Sequence, residues 1–361
     1  RVRASSAVLC CAAPLCAPMT QHRGAARAAL LLPLAMLAGL PWAAGEASGA
    51  GAPRAAGLAE LVRGHPERTW EPVDDADSEF AGWGPERLSG LLGTVAGRRE
   101  GAQAAPALAA AAGDLPRGLD ARAAWPGCAR PVRRQGDCGG CWAFAASETL
   151  GDNLCVLSNG TINVTLSPQD AISCDTSDWG CSGGQPRNVW KFMADTGLTT
   201  EGCRPFASSS GKSNGTCSST CASSGVPYRK YRCGRTNFYR GVDSVKEGIA
   251  RYGSVHSVML VWQDLLQYKA GVYRHLEGNL MGPHSVKILG WGEQGGTGYW
   301  LAQNSWGASW GEGGYFRIDM GDLGSSLARG GAWNCGALPA AAGGEGRAAA
   351  SAGPGQGSIV I

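Results

Sequence analysis

The ten residues RQGDCGGCWA, from Arg134 to Ala143, contain a thiol placed where it could act as a nucleophile. Cys141 stands six residues after Gln135, three residues after Cys138 and directly before a tryptophan. A thiol that attacks a carbonyl carbon needs a base that keeps it ionised, a donor for the oxyanion and a site that excludes water. The segment therefore predicts nucleophilic chemistry at Cys141 if the rest of the chain supplies the base.

The pair Cys138-Gly-Gly-Cys141 is also a C-x-x-C motif, which occurs in redox and zinc sites. A zinc site needs a second ligand pair at a suitable spacing, whereas Cys217 and Cys221 stand four apart in a Ser/Thr-rich stretch. A thioredoxin-like pair is expected in a short cytosolic domain, and the other cysteines favour an oxidising compartment instead. A redox, metal-binding or structural Cys141 stays open, but none of these predicts the motifs downstream.

The candidate base is one of five histidines. His284 opens the strand-like run HSVKILGWG and lies 143 residues after Cys141. The other histidines lie in N-terminal regions that are expected to be removed, or lack a neighbouring asparagine or tryptophan motif: His22, His65, His256 and His275.

A candidate for orienting the base is Asn304, which follows the apolar run GYWLAQ and precedes Ser-Trp-Gly. An amide oxygen that accepts from the imidazole fixes the ring without adding a second negative charge. Trp306 and Trp310 are expected to cover this hydrogen bond and exclude water. The predicted catalytic set is thus Cys141, His284 and Asn304, with Gln135 close to the thiol.

The elements that must position this set are a helix and several strands. The run WAFAASETLGDNLCVL after Cys141 has a buried-type apolar face and no proline, so it predicts a helix that begins at the cysteine. The dipole at the start of a helix favours a negative sulfur. The runs HSVKILGWG, GYWLAQNSW and GYFRIDM are strand-like and are joined by glycine-rich turns.

These motifs resemble those of the papain family of cysteine proteases, in its cathepsin B branch. The resemblance implies an α+β, papain-like fold with a helical left lobe, an antiparallel β-barrel-like right lobe and an active-site cleft between them. It implies that the Gln135 side chain and the Cys141 backbone N–H stabilise the oxyanion. His284 then passes a proton to the leaving amine, and water hydrolyses a thioester. No cofactor and no metal ion are expected.

The resemblance also implies a set of substrate-binding residues: Gly183, Gly184, Pro283, Trp306 and Leu338. Glycine at the first two positions lets the substrate backbone approach closely, although a simple turn is the alternative for Gly-Gly. Where the cathepsin B branch usually has Gly-Gly-His-Ala, this chain has Gly282-Pro283-His284-Ser285, and Pro283 keeps only its carbonyl. Asp137 and Gly140 replace the commoner serines near the nucleophile.

Two departures from the cathepsin B pattern predict specificity. The stretch between Cys203 and Cys217 is short and contains no histidine, so the histidine-bearing occluding loop is expected to be missing. We therefore expect an endopeptidase with weak or no carboxydipeptidase activity. Near the C-terminus, Leu338 stands where the branch often has the glutamate of the S2 pocket, which predicts a preference for apolar P2 residues.

The chain divides into five predicted segments. An apolar run that starts after Met19 and a few basic residues is typical of a signal peptide. The Arg-Thr-Trp and Leu-rich motifs that follow resemble a cathepsin B-type propeptide, and the C-terminal stretch has low complexity. The segments are upstream sequence outside the native product (1–18), signal peptide (19–44), inhibitory propeptide (45–114), papain-like catalytic domain (115–338) and disordered tail (339–361).

The remaining cysteines and three sequons agree with export. The resemblance implies four disulfides: Cys128–Cys155, Cys138–Cys181, Cys174–Cys217 and Cys203–Cys221. It leaves Cys233 and Cys335 unassigned, either free or paired. The candidate glycosylation sites are Asn159, Asn163 and Asn214. We expect the secretory pathway, ending in the lysosome or vacuole or outside the cell.

With 44% apolar residues and a net charge of +3, the composition does not favour nucleic acid or an anionic membrane as a partner. No stretch reaches the length of a membrane span. The expected partners are protein and peptide substrates, the propeptide as inhibitor and cystatin-like inhibitors, and a monomer is expected. Two alternatives stay open: a catalytically silent papain-like binding module, and a transpeptidase that uses the same thioester.

Overall fold

The computed structural model describes residues 57–95, 115–322, 331–336 and 357–360. The predicted upstream sequence, the predicted signal peptide and Leu338 lie outside these ranges. The described part of the predicted propeptide therefore runs from Gly57 to Val95.

Seven α-helices form in the described residues: α1 (Leu58–Gly64), α2 (Pro85–Ser89), α3 (Ala121–Ala124), α4 (Cys141–Leu157), α5 (Pro168–Cys174), α6 (Pro186–Asp195) and α7 (Val242–Tyr252). Two 3-10 turns cover Gly180–Ser182 and Gln263–Gln267. Proline opens α2, α5 and α6, where its missing N–H leaves no hydrogen bond unmade. The helix α4 begins at Cys141, and every residue from there to Cys155 is buried. It is therefore the central helix of its lobe.

Eleven strands form in the same residues: β1 (Trp70–Pro72), β2 (Leu119–Asp120), β3 (Arg229–Arg232), β4 (Arg235–Tyr239), β5 (Val255–Trp262), β6 (Tyr268–Tyr273), β7 (Leu280–Gln294), β8 (Thr297–Gln303), β9 (Tyr315–Asp319), β10 (Ala332–Gly336) and β11 (Gly357–Val360). The main sheet has the order β1-β6-β9-β8-β7-β5-β10-β4, and β2 pairs with β7. Its pairs are antiparallel except β6–β9. The predicted α+β class, with a helical lobe and a mostly antiparallel sheet lobe, is confirmed.

The interior contains two main hydrophobic clusters, one around α4 and α6 and the other on the sheet. The 57–95 segment is part of the second cluster, since β1 pairs with β6 at the sheet edge. Four of its side chains are buried there: Val62, Trp70, Phe80 and Leu91. The segment is thus packed onto the sheet lobe, with its hydrophobic side chains removed from water.

Five disulfides are present in the described residues, and four join the pairs that the resemblance implied: Cys128–Cys155, Cys138–Cys181, Cys174–Cys217 and Cys203–Cys221. The fifth joins Cys233, just after β3, to Cys335 in β10. The sequence could not assign this pair, because it closes over 102 residues and depends on how the helical lobe meets the sheet. Cys141 is the one free cysteine among the described residues.

The C-terminal tail departs from its prediction at four residues. Its composition predicted disorder for residues 339–361, whereas β11 pairs in parallel with β3. In the run Ser-Ile-Val, isoleucine and valine are β-branched and favour a strand. The prediction of disorder depended on the glycine-rich stretch that precedes them. Within the described ranges, no helix has the length and hydropathy needed to cross a membrane.

Candidate active site

The thiol of Cys141 lies at the start of α4, and a disulfide ties the turn before this helix to the 3-10 turn Gly180–Ser182. Cys138 is bonded to Cys181, and the backbone N–H of Gly139 donates to the Cys181 carbonyl at 2.9 Å. The turn before the helix is therefore fixed on both sides. The free N–H groups and dipole at the start of α4 favour a negative charge on the sulfur.

The electrostatic surroundings of Cys141 also favour the thiolate. Burial, the largest single influence, opposes ionisation of a sulfur that has no exposed surface. The charge and hydrogen bonding of His284, the hydroxyl of Thr94 and the backbone of Ser285 act in the other direction and outweigh it. The pKa of Cys141 consequently lies below its ordinary value.

The imidazole of His284 is held by Asn304. Its Nε2 lies 2.9 Å from Asn304 Oδ1, an oxygen that also accepts the backbone N–H of Ser305 at 2.8 Å. The ring of Trp306 covers this pair at 5.0 Å from the imidazole, and Trp310 meets Trp306 edge-on. Both His284 and Asn304 are buried, so the hydrogen bond between them is shielded from water.

Gln135 presents its amide N–H to the cleft. Its Oε1 accepts from the hydroxyl of Ser305 at 2.6 Å, which sets the orientation of the amide. Its Nε2 donates to the carbonyl of Cys138 at 2.8 Å and to the carbonyl of Leu91 at 2.9 Å. The Leu91 carbonyl oxygen of the 57–95 segment therefore accepts the hydrogen bond that Gln135 would donate to an oxyanion.

The residues after Leu91 follow the floor of the cleft. Gly184 N–H donates to the Gly93 carbonyl at 2.8 Å, and Val95 N–H donates to the Gly184 carbonyl at 2.9 Å. Gly183 has φ +122°, which a side chain rarely tolerates. A Cβ at Gly93 would lie 1.6 Å from the carbonyl oxygen of Gly139, so this approach requires glycine.

Thr94 brings a hydroxyl to the nucleophile. Its Oγ1 lies 3.2 Å from Cys141 Sγ and 2.8 Å from the hydroxyl of Ser285. Ser285 in turn lies 2.9 Å from Nε2 of His256. The hydroxyl, sulfur and serine thus form a buried polar contact beside the predicted catalytic pair.

Comparison with known proteins agrees with this geometry. Residues 115–329 match the model of the papain family cysteine protease domain. The chain is 37% identical over 238 residues to cathepsin B-like cysteine proteinase 4 of Caenorhabditis elegans, covering 57% of this chain and 71% of that protein. It is 36% identical over 242 residues to cathepsin B-like CP3 of Giardia intestinalis, covering 66% and 81%. The chain belongs to the papain family of cysteine proteases.

Solved structures give the same fold. Procathepsin B S9 of Trypanosoma congolense is 25% identical with a TM-score of 0.68, covering 74% of this chain and 92% of that chain. The digestive procathepsin L 3 of Tenebrio molitor is 22% identical with a TM-score of 0.60, covering 74% and 83%, and it shows the fold alone. The predicted papain-like two-lobed fold and the cathepsin B-type resemblance are confirmed.

Sequence reasoning missed His256 as part of this papain-family site. The residue is fully buried, its Nδ1 accepts from Trp190 Nε1 at 3.1 Å, and burial lowers its pKa to about 3. It is therefore a neutral ring with its proton on Nε2, directed at Ser285. In the sequence, the one signal for this contact was Ser285, a polar residue in place of the usual alanine after His284.

The other predicted site residues are placed as follows. Pro283 lies in β7 opposite Leu260, and the neighbouring Gly282 faces the side chain of Leu92. Phe80 packs edge-on against Trp306 at 5.3 Å. Leu338 lies outside the described residues. Among those residues, no three His, Cys, Asp or Glu side chains are grouped to hold a metal ion.

The asparagine side chains of the three sequons differ in the hydrogen bonds that they make. Asn159 is exposed in a left-handed turn after α4. Asn163 contacts Arg130 and the Gly127 carbonyl, and Asn214 accepts the backbone N–H of Cys181 at 2.8 Å. Asn159 is thus the most accessible of the three to a modifying enzyme.

We expect the thiolate of Cys141 to persist below the pH at which an ordinary thiol of pKa about 8.5 is protonated. Because its pKa is lowered, its absorbance near 240 nm is lost only as the pH falls through that lower value. Thr94→Val removes a hydroxyl that favours the thiolate and should raise the pKa of Cys141, whereas Thr94→Ser should not. Titration of the unprocessed chain against Cys141→Ala measures this, and identical curves for the two Thr94 variants would contradict it.

Proposed function

We propose that this protein is a cysteine-type endopeptidase synthesised as an inactive precursor. In this proposal residues 45–114 are the inhibitory propeptide and residues 115–338 the catalytic domain. One observation carries it: the segment Leu91–Val95 occupies the cleft, with one carbonyl on Gln135 and one hydroxyl on Cys141. The precursor structures among the similar proteins support the same organisation.

The geometry supports a thioester mechanism. The thiolate of Cys141 attacks the scissile carbonyl carbon, and the oxyanion is stabilised by Gln135 Nε2 and the backbone N–H of Cys141. The protonated imidazole of His284, held by Asn304, donates its proton to the leaving amine. Water then enters, loses a proton to the imidazole and hydrolyses the thioester.

Inhibition follows from what the 57–95 segment presents to these groups. The bridge between Thr94 and Gly184 is parallel, and the pairing of β1 with β6 anchors the same segment on the sheet. The sulfur of Cys141 meets the hydroxyl of Thr94 rather than a carbonyl carbon. The nucleophile is therefore covered without being offered a bond that it can cleave.

The processed chain should hydrolyse internally quenched peptides at mildly acidic pH, and Cys141→Ala should reduce the rate to background because the thioester cannot form. Mass spectrometry of the products should show internal cleavage faster than removal of C-terminal dipeptides. Equal rates for the two proteins would instead favour a catalytically silent module. Products joined to an added amine would favour transpeptidation, and rapid dipeptide trimming would contradict the endopeptidase assignment.

The lack of a histidine-bearing loop supports the endopeptidase proposal. The stretch after Cys203 is closed by the bond to Cys221, and Ser209 in it accepts the backbone N–H of Asp137 at 2.8 Å. This short loop is tied down against the catalytic turn. It brings no histidine to the cleft to bind a substrate carboxylate.

We propose an apolar preference at the P2 position, since Leu338 replaces the acidic residue that would pair with a basic side chain. Substrates with Phe at P2 should exceed those with Arg by at least about tenfold in kcat/KM, because an unpaired charge is costly to bury. Leu338→Glu should narrow this ratio, with Leu338→Gln as the uncharged control. A clear preference for Arg in the unsubstituted enzyme would refute the proposal.

Gly93→Ala should release the inhibitory segment from the cleft, because the added Cβ meets the Gly139 carbonyl at 1.6 Å. Overpacking of about 1–3 kcal/mol corresponds to roughly a 5- to 150-fold faster alkylation of Cys141 in the unprocessed chain. Gly84→Ala is the matched control, since nothing lies within 4 Å of a Cβ there. Equal alkylation rates for the two variants would show that this segment does not protect the thiol.

We also propose the secretory pathway for this protein, ending in the lysosome or vacuole or outside the cell. Its disulfides support this, because such bonds persist in oxidising compartments. Removal of residues 19–44 as a signal peptide and glycosylation at Asn159 belong to the same proposal, as do cystatin-like inhibitors and a monomeric state.

A further inference from the structure

Asp137 lies at the rim of the cleft, four residues before the nucleophile. Its backbone N–H donates to Ser209, which fixes the main chain, while its carboxylate remains about a third exposed. The carboxylate can therefore meet a ligand in the cleft.

In the precursor the ligand of this carboxylate is a basic side chain. Arg87 in α2 donates from Nε and Nη2 to Asp137 Oδ1 at 3.1 and 3.0 Å. Its guanidinium also stacks over the ring of Trp83, 3.5 Å from the ring centroid. Within the described parts of the chain, Arg87 is the only cation that pairs with Asp137.

The order of contacts along the cleft locates Asp137 relative to the reaction. From Arg87 onward, the segment meets Asp137, then Gln135 through Leu91, and finally Gly184 through Val95. A substrate whose acyl part pairs with Gly184 places its scissile carbonyl at Gln135. Asp137 therefore faces side chains at or beyond the scissile bond.

Removal of the 57–95 segment also exposes a second charged side chain, that of Arg134, which lies away from Asp137. Arg134 pairs with Glu79 in the precursor, and its guanidinium lies against Gly307, next to Trp306. It makes no ion pair with Asp137 in the structure. The carboxylate is thus left without its cation when Arg87 is removed.

We propose that Asp137 selects substrates that carry a basic side chain next to the scissile bond. Arg87 occupies this subsite in the precursor. The inference rests on the proposed function, since it assumes that the propeptide leaves and that peptides are cleaved. Because the pair is partly exposed, its contribution is modest: we expect about a two- to fivefold preference, which weakens as salt screens the charge.

The test uses internally quenched peptides with Phe at P2 and with Arg, Gln or Glu placed in turn at P1, P1′ and P2′. For the processed enzyme, the Arg/Gln ratio of kcat/KM should be about two to five at one of these positions. Asp137→Asn should bring that ratio to one, and Asp137→Arg should invert it in favour of Glu. Asp243→Asn, which removes an exposed carboxylate of α7, should leave the ratio unchanged.

An Arg/Gln ratio that is the same in the unsubstituted enzyme and in Asp137→Asn would overturn the inference while leaving the peptidase intact. A ratio that changes in Arg134→Gln but stays the same in Asp137→Asn would assign the selection to Arg134 and equally overturn the inference. Failure of the processed enzyme to cleave any of the peptides would reject the proposed function itself, and this inference with it.

Discussion

The sulfur of Cys141 and the imidazole of His284 belong to different lobes, so their relation depends on the contact between α4 and β7. Lys287, in β7, is fully buried and lies 2.9 Å from the Asp152 carboxylate in α4. A second buried carboxylate of α4, Glu148, accepts from Gln303 in β8 at 2.9 Å. Buried pairs of this kind add little net stability to the fold. A shift of one lobe relative to the other would, however, leave a buried charge without its partner. The register that brings thiol and imidazole together is thereby fixed.

The same cleft is occupied by the 57–95 segment. The Gln135 amide, the Gly184 backbone and the Cys141 thiol are each engaged by a short stretch of the 57–95 segment, through the carbonyls of Leu91 and Gly93 and the hydroxyl of Thr94. These contacts are individually modest, but the segment is tethered to the sheet by Trp70 and Phe80, so its effective concentration at the cleft is high. The proposed inhibition therefore depends on a backbone path that requires glycine at position 93.

Charge is distributed between the floor and the rim of the cleft according to burial. His256 lies in the interior behind Ser285 and stays neutral, because a buried imidazolium without a counter-charge is costly. Asp137 is charged at the rim, where water remains to solvate it and where a basic partner can come and go. The proposed recognition by charge is consequently confined to the edge of the site.

The helix at Cys141, the strand that carries His284, the strand that ends just before Asn304, and four disulfides could be predicted, because each depends on a local motif or on a known pattern. Thr94, His256 and the Cys233–Cys335 bond could not, since they become neighbours only when distant strands pair. The amino-acid sequence by itself determined the chemistry: a thiol, a base, an orienting amide and an oxyanion donor in motifs that specify their own local geometry. Only the tertiary structure decided which polar groups meet that thiol, because contacts between lobes arise from packing and burial of the whole chain rather than from spacing along it.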